Sequence, residues 1–183
     1  MNLLKHRSMR FYLVFFLILT MAVGGSAIAA FADGGTATAT LNGGTLTESS
    51  TFNAGLTATL NGQDQIQTYT LPITVTDARG TGAIWYLQIS GSPLTDGVNG
   101  HPALAQAVTS ATAPACAGQG TCSNPATPTV TQVSISNALQ DFYSDSSALG
   151  IFNVSTTIQV TIPGNAYAGT YHSTITLASA ATP

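Results

Sequence analysis

Residues 66–77 read IQTYTLPITVTD, and this stretch decides the fold class. Apolar side chains occupy every second position from Tyr69 to Val75, while threonine or proline fills the alternate positions. Such alternation is typical of a β-strand with one face in a core and the other in solvent. Pro72 has no amide donor, so we expect an edge position or a β-bulge there.

The same alternation recurs along the chain. In residues 83–90 (AIWYLQIS), the side chains of Ala83, Trp85, Leu87 and Ile89 would share one face of a strand. Turn residues such as Asn-Gly separate this run from other short runs with the same period. Those other runs lie at 36–41, 56–60, 130–135, 152–154, 157–162 and 171–177.

Roughly eight or nine short strands, with no long amphipathic helix between them, predict an all-β fold. Their number and spacing favour a two-layer antiparallel β-sandwich of the Ig-like kind, and a small β-barrel is the alternative. Residues 136–143 are ambiguous, because Leu139, Phe142 and Tyr143 would also share one face of a short helix.

Residues 1–32 have the pattern of a secretory signal peptide. Basic residues precede an apolar run over Phe11–Val23, and small residues follow at Ala30 and Ala32. The apolar run is shorter than the roughly 18–20 residues that a membrane-spanning helix needs. We therefore expect cleavage before Asp33, which leaves one domain over residues 33–183. An uncleaved signal segment is the alternative, and it would be the only link to a membrane.

The charge of residues 33–183 limits the possible partners. This part of the chain keeps all seven acidic residues but no lysine and only one arginine, Arg79, for a formal charge of −6. Nucleic acids and anionic lipids need a basic surface, so we exclude them as expected partners. Low charge alone does not indicate disorder here, because disordered chains combine high charge with few apolar residues.

The two cysteines, Cys116 and Cys122, enclose the short segment CAGQGTC. Disulfides form and persist in exported proteins, so we predict a bridge between these two residues. Because this bridge would close a very short loop, we expect it to stabilise only the tip of one hairpin. Metal binding by two cysteines without a nearby histidine is the weaker alternative.

Residues 33–183 contain few groups suited to catalysis or metal binding. His101 and His172 are the only histidines of residues 33–183, and no GxSxG context accompanies them, so we expect no enzyme activity. Calcium binding normally requires closely spaced acidic residues in a DxDxDG pattern, which is missing. We therefore expect no cofactor and no metal. The carboxylates considered for calcium are Asp64, Asp77, Asp96, Asp141 and Asp145.

Three stretches together resemble the WxL-domain family of bacterial cell-surface proteins. They are LPITVTDARGTGAIWYLQIS (71–90), CAGQGTC (116–122) and VTIPGNAYAGTYHSTITL (160–177). The first contains the Trp-x-Leu signature, and the likeness covers roughly residues 36–178. Better-known members carry a second Trp-x-Leu near the C-terminus, where this chain has Thr-Ile-Thr-Leu over residues 174–177.

The resemblance implies a secreted β-rich domain that associates non-covalently with peptidoglycan. It makes Trp85, Tyr86 and Leu87 candidate ligand-binding residues, although Trp85 also fits the core of a sandwich. We expect a non-catalytic module at the cell surface, with cell-wall peptidoglycan or other surface proteins as partners. A self-assembling extracellular fibre or matrix subunit is the alternative, and a secreted hydrolase is the third hypothesis.

Overall fold

The computed structural model describes most of the chain beyond the predicted signal peptide, which lies outside the described residues. The chain divides into two units, residues 1–40 and 41–183, and the fold below is that of the second. Within the described part, no helix is long and apolar enough to cross a membrane. The described residues are 38–52, 55–118, 121–123, 127–146 and 148–181.

In the described residues, ten strands form two antiparallel sheets, which confirms the predicted all-β class. The first sheet has the order β1-β2-β9-β4-β7, with β5 also paired to β9, and the second has the order β10-β3-β8-β6. One sheet curls strongly into a half-barrel, so the sandwich has some barrel character. The strands are β1 Leu46–Ser50, β2 Gln65–Asp77, β3 Trp85–Gly91, β4 Ala105–Ala111, β5 Ala115–Cys116, β6 Thr129–Val130, β7 Val133–Ser134, β8 Gln140–Asp145, β9 Gly150–Ile162 and β10 Ile175–Ala181.

The two longest strands, β2 and β9, lie side by side inside the first sheet. Each has 13 residues, and they pair without a register shift from Gln65↔Ile162 to Asp77↔Gly150. Their burial alternates along the strand, as the period-2 pattern predicts. The strands β3 and β10 of the second sheet have only seven residues each. The first sheet is therefore longer than the sheet packed against it.

Pro72 occupies a position where no amide donor is needed. Its partner in β9 is Ser155, whose main-chain N and O both bond to Thr112 on the other side, at 3.0 and 2.9 Å. Pro72 and Ser155 therefore form a non-hydrogen-bonded pair, and the Pro72 nitrogen faces the β1 side. The hydrogen-bonded ladder between β1 and β2 stops at the pair Ile73↔Ser50, one residue short of Pro72. β2 is an inner strand, paired with β1 and β9, and Pro72 lies just beyond the end of the β1 ladder, so β2 has an edge on that side only locally.

One main core fills the space between the sheets. Trp85 is its largest side chain, is 0% exposed, and stacks on Tyr143 with ring centroids 5.6 Å apart and planes at 21°. Residues from both sheets surround this pair, as expected for a sandwich. The other buried members are Leu71, Ile73, Val75, Leu87, Ile89, Val108, Phe142, Ala148, Phe152, Val154 and Ile158.

The turn after β2 is held by the single arginine of the described chain. The Arg79 guanidinium donates to both oxygens of Asp77, at 2.9 and 2.8 Å, and to the main-chain oxygen of Ala83 at 2.7 Å. Asp77 also accepts a hydrogen bond from the Arg79 amide at 3.1 Å. This bidentate pair fixes the path from the first sheet to the second, where β3 brings Trp85 into the core.

The predicted disulfide between Cys116 and Cys122 is present, with Cα atoms 6.0 Å apart. Cys116 lies in β5 and pairs with Phe152 of β9, so the bridge fastens the β5 segment near the start of β9. Gly150 has a φ of 121°, and a Cβ there would lie 2.8 Å from the Cβ of Cys122. Only glycine fits this close approach of the two segments.

Several predicted strand boundaries were wrong. The described part of 36–41 and all of 56–60 lie outside strands, although burial alternates at Leu56 and Ala58. Residues 130–135 split between β6 and β7, which belong to different sheets. Residues 136–143 form a turn and then β8 rather than a helix. Periodicity reports which side chains are buried, whereas a strand also needs a hydrogen-bonded neighbour.

Candidate functional site

The three residues of the Trp-x-Leu signature are the first three residues of β3. Trp85 and Leu87 point into the main core and are fully buried. Tyr86 lies on the opposite face of the second sheet, half-buried, where it pairs with Ala180 of β10 and Ser144 of β8. The structure thus places Trp85 where the core interpretation predicts. A ligand could reach its indole only if the sheets separated, and ligand contact by these three residues stays a prediction.

An open cleft of about 680 Å³ lies at the end of the first sheet where β2 begins and β9 ends. Its apolar part is a second, smaller cluster formed by Leu104, Val160 and Ile162, separate from the core around Trp85. The inward face of the first sheet here extends beyond the main core, and two loop segments cover it instead of strands. Those segments are residues 56–60 and 166–173. The cleft is therefore a consequence of the unequal lengths of the sheets.

One aromatic group in the cleft comes from Phe52 and Tyr69. Their rings meet edge to face, with centroids 5.9 Å apart and planes at 81°. Phe52 is 48% exposed, so much of its ring faces solvent. Tyr69 lies deeper, and its hydroxyl donates to Oε1 of Gln106 at 3.0 Å. Burial raises the pKa of Tyr69 to about 12.

The second aromatic group comes from Tyr167, which is 51% exposed, and His101. The imidazole lies flat on the tyrosine ring, with centroids 3.8 Å apart and planes at 8°. Nδ1 of His101 contacts Oδ2 of Asp96 at 2.6 Å. That hydrogen bond is the main reason why the pKa of Asp96 is lowered, and the Val98 amide adds to it at 3.1 Å. The loop of residues 96–101 thus covers one face of the Tyr167 ring through His101.

Hydrogen bonds and one close backbone approach hold the loop that carries Tyr167. The Ala166 amide donates to the Pro163 oxygen at 2.9 Å, and the Gly164 amide donates to Oδ1 of Asp64 at 2.8 Å. A Cβ on Gly164 would lie 2.7 Å from the Gly62 oxygen, so this close approach requires glycine. A hydrogen bond from the Tyr171 hydroxyl to the Tyr167 oxygen, 3.1 Å long, also holds the loop. An exposed ring on such a braced loop is preorganised for contact.

The cleft carries no full charge of its own. Among the described residues that line it, none is Asp, Glu, Lys or Arg, and His172 is the single imidazole. Tyrosine hydroxyls, Thr57, Thr170, Ser173 and the Gln106 amide supply its polar atoms. Concave, mainly apolar sites with a few placed polar groups are typical of binding sites for small or extended ligands. This arrangement suits a neutral ligand that has both apolar faces and hydrogen-bonding groups.

The two histidines are arranged differently. His101 faces Asp96 and Tyr167, whereas His172 is exposed and its main chain bridges to Thr95. In the part of the chain that the structure describes, no serine hydroxyl bonds to either ring, and no group of three or more His, Cys, Asp or Glu side chains could hold a metal ion. Of the aspartates considered for calcium, Asp64, Asp77, Asp96 and Asp141 each form a hydrogen bond, and Asp145 lies in β8.

Sequence patterns did not identify the cleft residues. Phe52, Tyr69, Gln106 and Tyr167 come from four separate segments, and only the fold brings them together. One signal was present, because two tyrosines in the NAYAGTY turn are unusual for a segment that reads as a tight connection. A glutamine at an inward position between apolar residues of β4 was a second signal.

Comparisons of the chain with protein-family models, with curated proteins and with solved structures found no match. The likeness to the WxL-domain family stays a prediction.

Proposed function

We propose that this protein is a non-catalytic, extracytoplasmic module that attaches to the cell envelope by holding neutral glycan of the peptidoglycan layer in its cleft. One observation carries the proposal: an uncharged cleft presents two exposed aromatic rings, Phe52 in contact with Tyr69 and Tyr167 on a braced loop. Aromatic rings combine a flat apolar face with little loss of side-chain entropy on binding, which suits the faces of sugar rings.

Two further observations support an extracytoplasmic location. The Cys116–Cys122 disulfide is typical of proteins in oxidising compartments. The basic, apolar and small-residue regions of residues 1–32 are typical of an export signal. The acidic charge of residues 33–183 also disfavours attraction to a polyanionic surface, so attachment would depend on the cleft rather than on charge.

The experiment is sedimentation of the secreted protein with purified peptidoglycan sacculi over a series of salt concentrations. Binding through an uncharged cleft should persist from about 50 mM to about 1 M NaCl, because there is no ion pair to screen. Release in high salt would indicate charge-mediated adhesion and contradict the proposal. Absence of binding at every salt concentration would also contradict it.

A further inference from the structure

The cleft contains one buried amide, the side chain of Gln106 in β4. It is 6% exposed, although it lines the cleft, and its neighbours include the apolar side chains of Leu104 and Val160. Buried amides are costly unless their donors and acceptors are satisfied. The hydrogen bonds of this amide therefore indicate what the cleft is built to receive.

Tyr69 determines which half of the Gln106 amide remains for a ligand. The tyrosine hydroxyl donates to Oε1 of the amide at 3.0 Å, and burial raises the pKa of Tyr69 to about 12. Among the described residues, none accepts a hydrogen bond from Nε2 of Gln106. The N–H donors of an otherwise fixed amide thus border the cleft beside an apolar surface.

We propose that Nε2 of Gln106 binds the carbonyl oxygen of an acetamido group, so that the cleft selects N-acetylated sugars over their unacetylated counterparts. This inference rests on the proposed function. An acetamido group offers both an acceptor for Nε2 and a methyl group for the apolar surface at Leu104 and Val160. A hydroxyl group in its place offers no methyl group. A charged peptide segment would enter a cleft without a charged partner, so the glycan is the favoured occupant.

The test compares two neutral β-1,4-linked trisaccharides that differ at the second carbon of each ring, tri-N-acetylchitotriose and cellotriose. Titration calorimetry on the intact secreted protein should give about tenfold tighter binding of the acetylated sugar, the size expected for one net hydrogen bond that a hydroxyl group at this position does not replace. Gln106→Met keeps the length of the side chain but removes the amide, so the preference should fall to within about twofold.

Two further variants keep the outcome interpretable. Tyr167→Ala removes an aromatic ring that a different segment contributes to the cleft and should weaken the binding of both sugars equally, which leaves their affinity ratio unchanged. Tyr69→Phe frees Oε1 of Gln106 and should reduce the preference while the melting temperature shows that the protein is folded. Should Gln106→Met fail to fold, Tyr69→Phe still tests the role of the amide.

The outcomes separate this inference from the proposed function. Equal affinity of the wild-type protein for both sugars would overturn the inference, while retention on sacculi would leave the proposed function standing. An unchanged preference in Gln106→Met would overturn it as well. Binding of isolated stem peptides in place of either sugar would assign the cleft to peptide and overturn it. Loss of binding to both sugars and to sacculi would remove the proposed function itself.

Discussion

The imidazole of His101 lies flat against the ring of Tyr167, with 3.8 Å between ring centroids and 8° between planes. The same imidazole contacts Asp96 through Nδ1 at 2.6 Å. The loop of Tyr167 also approaches Asp96 directly, because a Cβ on Gly169 would lie 3.1 Å from Oδ2. A carboxylate, an imidazole and a phenol ring therefore join the loop of residues 96–101 to the loop that forms part of the cleft.

This junction predicts an acid-dependent stability. The hydrogen bond from His101 lowers the pKa of Asp96, so the folded state favours the ionised carboxylate more than the unfolded chain does. The resulting stabilisation is fully present above the ordinary aspartate pKa of about 3.9 and is lost as pH falls through the lower folded value. Asp96→Asn should therefore lower the melting temperature at pH 7 and flatten its decline below about pH 4. An unaltered acid profile in thermal melts would contradict this role of Asp96.

Trp85 should contribute strongly to stability. Because its indole is fully buried and stacked on Tyr143, Trp85→Ala should lower the free energy of unfolding by about 3–5 kcal/mol through lost packing and a residual cavity. As the only tryptophan, it also reports its own environment, so emission should be blue-shifted and poorly quenched by acrylamide. A fully stable Trp85→Ala protein in denaturant titrations would show that the indole lies outside the core.

The Asp77–Arg79 pair predicts a non-additive pair of substitutions. Arg79→Met leaves the buried Asp77 carboxylate without its guanidinium partner, which should cost about 3 kcal/mol or more. Asp77→Asn on the same background removes the isolated charge, so the double variant should recover part of this loss. Urea titrations of the two single variants and the double variant measure the coupling. Simple additivity of the two effects would contradict the interpretation as a buried ion pair.

The disulfide should contribute less to the free energy of unfolding than the packing of the core does. Replacement of Cys116 and Cys122 by serine frees only a short loop in the unfolded chain, so the expected loss is about 2 kcal/mol. Non-reducing mass spectrometry of the secreted protein should find the two cysteines joined. The double variant should remain folded at room temperature in circular dichroism, and its complete unfolding would show that the bridge holds more than one hairpin.

Alternation of apolar and polar residues predicted the fold class because it reports burial directly. It identified residues 66–77 and the inward face of β3, and it placed Trp85 among core residues. It missed β1, because the sequence LTESS has few apolar side chains and therefore shows no alternation. This short strand forms by pairing with the end of β2. Alternation also misassigned residues 56–60, where alternating burial arises from contact with the apolar cluster of the cleft rather than from a ladder.

The cleft could not be predicted because it depends on contacts that are distant in sequence. Tyr69 and Gln106 are separated by 37 positions, and their hydrogen bond requires the β2, β9 and β4 strands to be adjacent. The stacking of His101 on Tyr167 likewise joins two loops whose approach depends on the sheets. No periodic pattern encodes either contact, since each partner taken alone resembles an ordinary core or loop residue.

The most direct test of the cleft as the attachment site is the dissociation constant of Phe52→Ala/Tyr167→Ala on purified sacculi, measured against a control of matched exposure. Leu139→Ala/Ile66→Ala removes two side chains that are 51% and 62% exposed and lie outside the cleft. We predict that the aromatic double variant binds about 30- to 160-fold more weakly, at about 1–1.5 kcal/mol per ring, whereas the control binds as the wild type does. Equal binding of the two double variants, with both proteins folded, would contradict attachment through the cleft.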